Sequence, residues 1–370
     1  ADGDTEQSMH MEPLASVSGD ATLDFKNYGR MTGDIMAAGT DSTEDSEGAL
    51  SSVTGGISGT WDGGLLVLDG TGSVTVNAGG VWTRTSSYPI VPYQELGDML
   101  GTDTLTSGML LTASAAAAAF TNSTVTVINN GEMTGGAAAY GDGAVLNMTV
   151  NGNWDTGTIA GTDAVMPAYA GNNGKLTVNV GETGRMTGNV WAETGGSVTM
   201  NVSGVWTGAV KAPVTPEKWS EWIEEINGET SAGDGESDES AALTAAAVTL
   251  ASIDTGSSSS ASSGTVDVTL SGSSAVWNLT ESTAVDSLSV GAGTVNFPLV
   301  TDASSFTGST LTVTGNYSGD GGTIVMNTVL EGDGSQTDKL VITGDTSGKT
   351  YIKVNNVGGH GQQTADGIRL

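Results

Sequence analysis

Histidine and serine are the side chains of this 370-residue sequence that could support nucleophilic catalysis, and their positions argue against it. A serine nucleophile needs a histidine general base beside it. The two histidines, His10 and His360, lie at opposite ends of the sequence, and no Gly-Asp-Ser-Gly or Gly-x-Ser-x-Gly stretch occurs. Cysteine is absent, which removes thiol catalysis, cysteine-zinc sites and disulfides. We therefore expect no enzyme and no catalytic residue.

Acidic residues are abundant, but they are not arranged as a ligand set. The chain has 42 Asp and Glu against 11 Lys and Arg, a formal net charge of −31, which repels nucleic-acid phosphates. No Asp cluster has EF-hand spacing or the calcium nonapeptide repeat. We expect no nucleic-acid partner, no cofactor and no metal site. A glycan-degrading enzyme, which would place carboxylates on a groove, remains an alternative.

Four aromatic residues in irregular stretches are candidates for contacting a partner. Tyr88 and Tyr93 lie among prolines that interrupt the strand pattern, and Trp219 and Trp222 belong to an apolar stripe with helical spacing. Loops that project from a rigid scaffold are common recognition sites. The alternative interpretation is that the two tryptophans only pack an inserted helix onto the scaffold.

The scaffold itself is predicted by a strand-turn-strand unit that recurs along the chain. Leu176–Val180 returns 22 residues later as Val198–Val202, and Met186-Thr-Gly returns as Trp206-Thr-Gly. Apolar and small polar residues alternate in each copy, which is typical of strands, and Gly or Asn supplies the turns. Repeats of this length predict a solenoid, in which each unit buries its apolar face against its neighbours.

Two rows of residues recur at fixed places in the unit. We interpret the bulky apolar row as a stack inside the core, and the asparagine row as an amide ladder at a solenoid corner. The apolar row is Met31, Trp82, Met133, Trp154, Met186 and Trp206, and the asparagine row is Asn77, Asn129, Asn151, Asn179 and Asn201.

The repeat is interrupted twice, at about residues 84–122 and 209–263. The first interruption is expected to project from the solenoid, and its alanine run, Ala113–Ala119, favours helix over strand. The second begins as a helix and continues as a Ser-, Gly- and acid-rich stretch that resists packing. The sequence thus predicts an all-β parallel solenoid with loop and short-helix insertions.

The last third of the sequence resembles the pertactin-like segment of autotransporter passenger domains. Three pieces show the resemblance: Trp277-Asn-Leu-Thr with Gly293-Thr-Val-Asn-Phe, Leu311–Gly319, and Thr337–Gly344. The earlier coils are similar to AIDA-type adhesin passengers. The resemblance implies a right-handed parallel β-helix for residues 1–310, continued by autochaperone coils of the same helix over residues 311–370.

What this resemblance implies for function is export, threading through a C-terminal outer-membrane barrel and display at the cell surface. The sequence contains neither a signal segment nor the barrel, so we expect an isolated passenger. Its expected role is a non-enzymatic adhesin, active in attachment or biofilm formation. The partners would be a host glycan, an extracellular-matrix protein or identical passengers on neighbouring cells. The structural alternative is an inert stalk or cap that presents other elements.

Overall fold

The fold is a parallel β-solenoid of eleven coils. The computed structural model describes residues 15–39, 50–84, 100, 102, 106–158, 166–211, 264–300 and 303–370. Each complete coil has three short strands separated by tight turns. The described strands pair in parallel, each with the equivalent strand of the next coil. The predicted all-β, right-handed parallel β-helix is confirmed.

The strands follow one another in coil order, three to a coil in the first seven coils. In chain order they are β1 (Ala15–Ser18), β2 (Thr22–Asn27), β3 (Arg30–Thr32), β4 (Ile35–Ala38), β5 (Ser51–Ile57), β6 (Thr60–Asp62), β7 (Leu65–Leu68), β8 (Gly70–Val76), β9 (Val81–Thr83), β10 (Ala117–Ala119), β11 (Thr124–Asn129), β12 (Glu132–Thr134), β13 (Ala137–Tyr140), β14 (Val145–Val150), β15 (Asn153–Asp155), β16 (Ala168–Gly171), β17 (Lys175–Val180), β18 (Arg185–Thr187), β19 (Val190–Ala192), β20 (Ser197–Val202) and β21 (Val205–Thr207).

The last four coils use fewer or longer strands. They are β22 (Thr265–Leu270) and β23 (Val276–Asn278) in coil eight, β24 (Thr283–Val285), β25 (Ser287–Val290) and β26 (Thr294–Asn296) in coil nine, β27 (Thr310–Val313) and β28 (Tyr317–Thr328) in coil ten, and β29 (Lys339–Ile342) and β30 (Thr346–Asn356) in coil eleven. A short 3-10 turn, Ala303–Ser305, precedes coil ten.

Three sheets form the walls of the solenoid. A 20-stranded sheet contains the second and third strands of the coils, and a seven-stranded sheet, here called sheet A, runs from β1 to β19. A three-stranded sheet of β24, β27 and β29 replaces sheet A in the last coils. Thr283 connects the two, because its hydroxyl accepts from the amide of Val210 and donates to the carbonyl of the same residue.

The core is a set of columns in which equivalent residues stack from coil to coil. The most prominent column contains Met31, Trp61, Trp82, Met133, Trp154, Met186, Trp206, Trp277, Val295, Ile324 and Ile352. Every member from Trp61 to Ile324 is at least 98% buried. The predicted core stack is therefore confirmed.

Each buried tryptophan of this column is also tied to the coil before it by a hydrogen bond. The indole Nε1 donates to a glycine carbonyl at the end of the preceding third strand, at 2.8 to 3.1 Å in all five cases. Some of these glycines, such as Gly135 and Gly188, have φ near +130°, which only glycine adopts easily. The recurring apolar-Thr-Gly motif is thus a corner that accepts the next coil's indole.

The asparagine row does not form one ladder, contrary to the sequence interpretation. Asn179 and Asn201 share a column and their side chains are hydrogen bonded at 2.9 Å, whereas Asn151 is two positions later and bonds to Asn130. Asn129 faces inward, where its amide donates to the carbonyl of Asn153. Asn129 is one position beyond the column of Asn179, which moves its side chain to the other face, and the two-position shift of Asn151 leaves it on the same face but outside that column.

A single described helix, α1 (Ser107–Ser114), lies in the first predicted insertion. It does not project away from the solenoid, because Leu110 and Leu111 pack against the outer surface of sheet A. The alanine run was expected to be helical throughout, but the helix ends at Ser114 and Ala117–Ala119 forms β10. β10 pairs on both sides with strands of sheet A, where small side chains fit a strand that is buried on both faces.

Several predicted features lie outside the described residues. These are the four aromatic candidates Tyr88, Tyr93, Trp219 and Trp222, together with almost all of the second insertion. Their predicted roles remain predictions.

Candidate binding face

The outward side of the second strands, from coil two to coil seven, forms a surface of short uncharged polar side chains. We call it the hydroxyl face. Its middle column contains Thr54, Ser73, Thr126, Asn147, Thr177 and Thr199, and the following column contains Gly56, Thr75, Ile128, Thr149, Asn179 and Asn201. The preceding column contains Ser52, Thr71, Thr124, Val145, Lys175 and Ser197.

The distribution of charge distinguishes this face from its surroundings. Lys175 is the one charged residue in those three columns, although the chain has a net charge of −31. By contrast, the outward positions of the third strands include Asp62, Glu132, Asp155 and Arg185. The hydroxyl face is therefore a nearly neutral strip on a strongly acidic molecule.

The strands give the face a regular geometry. Equivalent side chains in successive coils are about 4.8 Å apart, and alternate residues along one strand are about 6.6 Å apart. Some neighbours bond to each other along the axis, as in Thr71 to Ser52 at 3.3 Å and Asn201 to Asn179 at 2.9 Å. Hydroxyls and amides both donate and accept, so the surface offers a repeating array of hydrogen-bonding groups.

Beyond the hydroxyl face, whose middle column is followed in coil eight by Asp267, a groove lies between coils nine and eleven. Its volume is about 240 Å³, and it is lined by Ser287, Leu288, Ser289, Asn316, Tyr317, Ser318, Asp345, Thr346 and Ser347. Burial raises the pKa of Tyr317, whose hydroxyl is bonded to that of Thr350 at 2.6 Å. The groove thus continues the hydroxyl chemistry of the face and adds one carboxylate, that of Asp345.

The outer surface of sheet A is a different kind of surface, because α1 covers it. Tyr140 bonds to the hydroxyl of Thr106 at 2.9 Å, and Tyr169 donates to Glu193. The pKa of Tyr169 is raised well above its ordinary value, first by burial and then by the nearby Glu193 charge. These groups hold the helix on the sheet, and we assign them a structural role.

A buried ion pair closes the corner of coil three. Arg84 Nη1 lies 3.0 Å from Asp34 Oδ1, and the Arg84 side chain is 1% exposed. Desolvation lowers the pKa of Arg84, while Asp34 and Asp62 oppose that shift. The Asp34 carboxylate also accepts from the amide of Gly64, which fixes the turn between coils two and three.

The acidic and histidine side chains of the described residues do not gather into a metal site. Across the described ranges no three His, Asp or Glu side chains are close enough to share a metal ion. His360 is exposed, and His10 lies outside those ranges. Within the same part of the chain, no helix is long and apolar enough to cross a membrane.

Comparison with known proteins agrees with this architecture. The coils and their C-terminal continuation define the class, a parallel β-helical passenger. Residues 283–370, about a quarter of the chain, match the family model described as Autochaperone Domain Type 1, a domain found in autotransporter passengers. The chain is thus indicated to be an autotransporter passenger, which implies a cell-surface or secreted protein. Among curated proteins no match was found.

The sequence interpretation missed the hydroxyl face because it searched for aromatic and charged residues. The signal was present in the outward positions of each unit, where Thr, Ser and Asn alternate with the buried apolar residues. Alternation within one strand does not show which residues of successive coils lie side by side, because the coils differ in length.

Proposed function

We propose that this passenger is an adhesin and that the hydroxyl face is its contact surface. The observation that supports the proposal is a strip with one charged residue, Lys175, on a chain of net charge −31. A partner that approaches the neighbouring wall of third strands meets the carboxylates of Asp62, Glu132 and Asp155, whereas here it meets neutral donors and acceptors in a fixed array.

Two kinds of partner fit this surface. One is an uncharged region of a host glycan or matrix protein, whose hydroxyls and amides can exchange hydrogen bonds with the face. The other is the same face of a passenger on a neighbouring cell. Individual hydrogen bonds contribute only about 0.5–1.5 kcal/mol net, so attachment through this face depends on many repeated contacts.

The test is adhesion and settling of cells that display the chain with three added charges on the face. The variant is Thr126→Glu/Thr177→Glu/Thr199→Glu, in coils four, six and seven. The matched control places the same three charges in the same coils on the neighbouring wall, as Thr134→Glu/Thr187→Glu/Thr207→Glu.

The proposal predicts that the face variant loses at least tenfold in adhesion to host components or in cell settling, while the control keeps both. Loss in the first assay alone identifies a host ligand, and loss in the second alone identifies self-association. Equal behaviour of the two variants in both assays would refute the proposed surface. Surface display of each variant is verified with an antibody to the chain.

A further inference from the structure

The groove between coils nine and eleven has polar side chains on both sides of a floor. The floor is made by strand positions that continue one core column: Leu288, Tyr317 and Thr346. One side of the groove is lined by the residues just before them, Ser287, Asn316 and Asp345. The other side is lined by the residues just after them, Ser289, Ser318 and Ser347. The two sides are about 6.6 Å apart along each strand, because they are alternate residues.

The size of the groove suits one small ring. Its volume of about 240 Å³ corresponds to about eight water molecules, at about 30 Å³ each. Pockets for drug-sized ligands begin at about 300 Å³. The groove therefore has room for a single sugar ring and is too small to enclose a longer chain.

The first side of the groove presents an amide donor beside a carboxylate. The Oδ1 of Asn316 accepts from the backbone amide of Asp345 at 3.1 Å, so both hydrogens on Nδ2 are left for a ligand. Among the described residues, no hydrogen-bond donor or cation is bonded to the Asp345 carboxylate. Lys349 of the same coil lies instead over the ring of Tyr351, 4.5 Å from its centroid. The groove thus keeps one free carboxylate.

The second side of the groove is a row of serine hydroxyls. Ser289, Ser318 and Ser347 occupy one column of paired strands, and the Ser318 hydroxyl donates to that of Ser289 at 3.0 Å. No described group is bonded to the hydroxyl of Ser347. Ser287, on the first side, donates to Asp267 and can only accept from a ligand. This row can therefore both donate and accept.

The combination of groups selects the chemistry of the ligand. A carboxylate only accepts, an amide nitrogen only donates, and a hydroxyl does both. A Lys or Arg side chain carries donors alone and would leave the Asn316 amide unpaired. A phosphate or an acidic sugar would be repelled by Asp345 and by the net charge of −31. Neighbouring hydroxyls of an uncharged sugar meet all three requirements.

We propose that the groove binds one ring of an uncharged sugar. Asp345 accepts from two neighbouring sugar hydroxyls, Asn316 donates to a sugar oxygen, and the serine row bonds to the opposite edge of the ring. This site is separate from the hydroxyl face, since Asp267 lies between them in coil eight. Because few hydrogen bonds hold one small ring, the dissociation constant is expected to be about 1 mM.

The experiment is saturation-transfer NMR of the purified full chain with the methyl glycosides of glucose, galactose, mannose and fucose. N-acetyl-lysine amide serves as a cationic probe. Asp345→Asn removes the charged acceptor at nearly constant size, and Ser347→Ala removes a hydroxyl of the serine row. The matched control is Asp320→Asn, the same change at an exposed position of β28 outside the groove. Thermal melting verifies that each variant is folded.

At least one glycoside is expected to bind to the wild type. Its dissociation constant should rise about tenfold or more in Asp345→Asn and about two- to tenfold in Ser347→Ala, and it should not change in Asp320→Asn. Three results would overturn the proposal: no transfer to any of the four glycosides at about 10 mM, equal binding by Asp345→Asn, or binding of the lysine amide that the glycosides do not compete for, which identifies a cation site.

The same measurement separates this site from the proposed adhesive surface. The variant with three glutamates on the hydroxyl face changes coils four, six and seven and should bind the glycosides like the wild type. Loss of adhesion in that variant with glycoside binding intact would show that the two surfaces act independently. Loss of glycoside binding in that variant would contradict the assignment of the sugar to the groove.

Discussion

At the scale of the residue, the register between coils is held by side chains that donate a hydrogen bond to a backbone carbonyl of the preceding coil. The indole of each core tryptophan does this through a glycine carbonyl at a Thr-Gly or equivalent corner. A buried carbonyl without a partner costs free energy, so the indole stabilises the register as well as filling the core.

Trp154→Phe tests this contact. The phenyl ring keeps most of the apolar volume, but the carbonyl of Gly135 loses its donor at 2.9 Å. We expect the free energy of unfolding to fall by about 1–3 kcal/mol. Tyr28→Phe, at a 75% exposed position, is the control and should change it little. Equal urea midpoints for the two variants would show that the hydrogen bond from Trp154 to Gly135 does not stabilise the fold.

Alkaline pH should weaken the packing around Tyr169. Burial and the Glu193 charge raise the pKa of this phenol above 10.0, so its contribution to stability is fully present below pH 10.0 and is lost as the pH rises through the folded-state pKa. Burial also raises the pKa of Tyr140 and Tyr317, so phenolate absorbance during an alkaline titration should show several late tyrosines, with Tyr169 ionising last as structure is lost. This last step should be missing in Tyr169→Phe, and its persistence there would contradict the assignment.

At the scale of the element, α1 converts the outer side of sheet A into a second buried layer. Leu66, Ala138 and Tyr169 on the sheet and Leu110 and Leu111 on the helix make up this layer. The helix has only eight residues, which is too short for stability in isolation. Its order therefore depends on this packing and on its N-cap.

Thr106→Ala should loosen the helix. The Thr106 hydroxyl accepts from the amide of Met109 at 3.3 Å and bonds to Tyr140 at 2.9 Å. Loss of an N-cap costs about 0.5–2 kcal/mol, so hydrogen exchange in 107–114 should accelerate about 2- to 30-fold. Thr106→Ser keeps the hydroxyl and should exchange like the wild type. Unchanged exchange in both variants would show that packing alone orders the helix.

The sequence was sufficient to predict the strands and core of each coil. It was not sufficient to predict where α1 ends and β10 begins. Period-two alternation identified the strands and the recurring bulky residue identified the core column. Ala113–Ala119 was misinterpreted because alanine favours helix intrinsically, whereas sheet A needs small side chains where the helix presses on its outer face. That requirement arises from tertiary packing, which a local pattern does not contain.

At the scale of the whole molecule, the C-terminal coils are held together by a buried polar clamp. The buried carboxylate of Asp338 accepts from the amide of Ser309 at 2.8 Å and from the amide and side chain of Asn327 at 2.7 Å. This clamp lies within the autochaperone match. It gives coils ten and eleven an internal order on which other coils can stack.

Asp338→Ala should destabilise these coils and slow refolding of the whole chain. Three hydrogen bonds to a charged group are lost, and we expect roughly 2–4 kcal/mol less local stability. Refolding from urea is followed by tryptophan fluorescence, since all five core tryptophans lie in coils two to eight. Asp366→Ala, at an exposed position, is the control. Unchanged refolding of Asp338→Ala would mean that coils two to eight fold without the C-terminal template.

The candidate face was less predictable than the fold. Tyr88, Tyr93, Trp219 and Trp222 were chosen because aromatic residues dominate many interfaces, and they lie outside the described residues. The neutral face became visible only through the register of the strands. Each of its residues is of a common type, and the distinguishing property is that together they form a surface with almost no charge.

The central claim is that a neutral face on an acidic rod makes the adhesive contact, and its most direct test is the salt dependence of cell settling. Cells display the chain with or without the three glutamates on the hydroxyl face. Because salt screens the repulsion between acidic rods but leaves neutral contacts intact, settling without the glutamates should strengthen from low to physiological ionic strength. Settling that weakens with salt, or settling and adhesion to host components that are both the same with the glutamates present, would contradict the account.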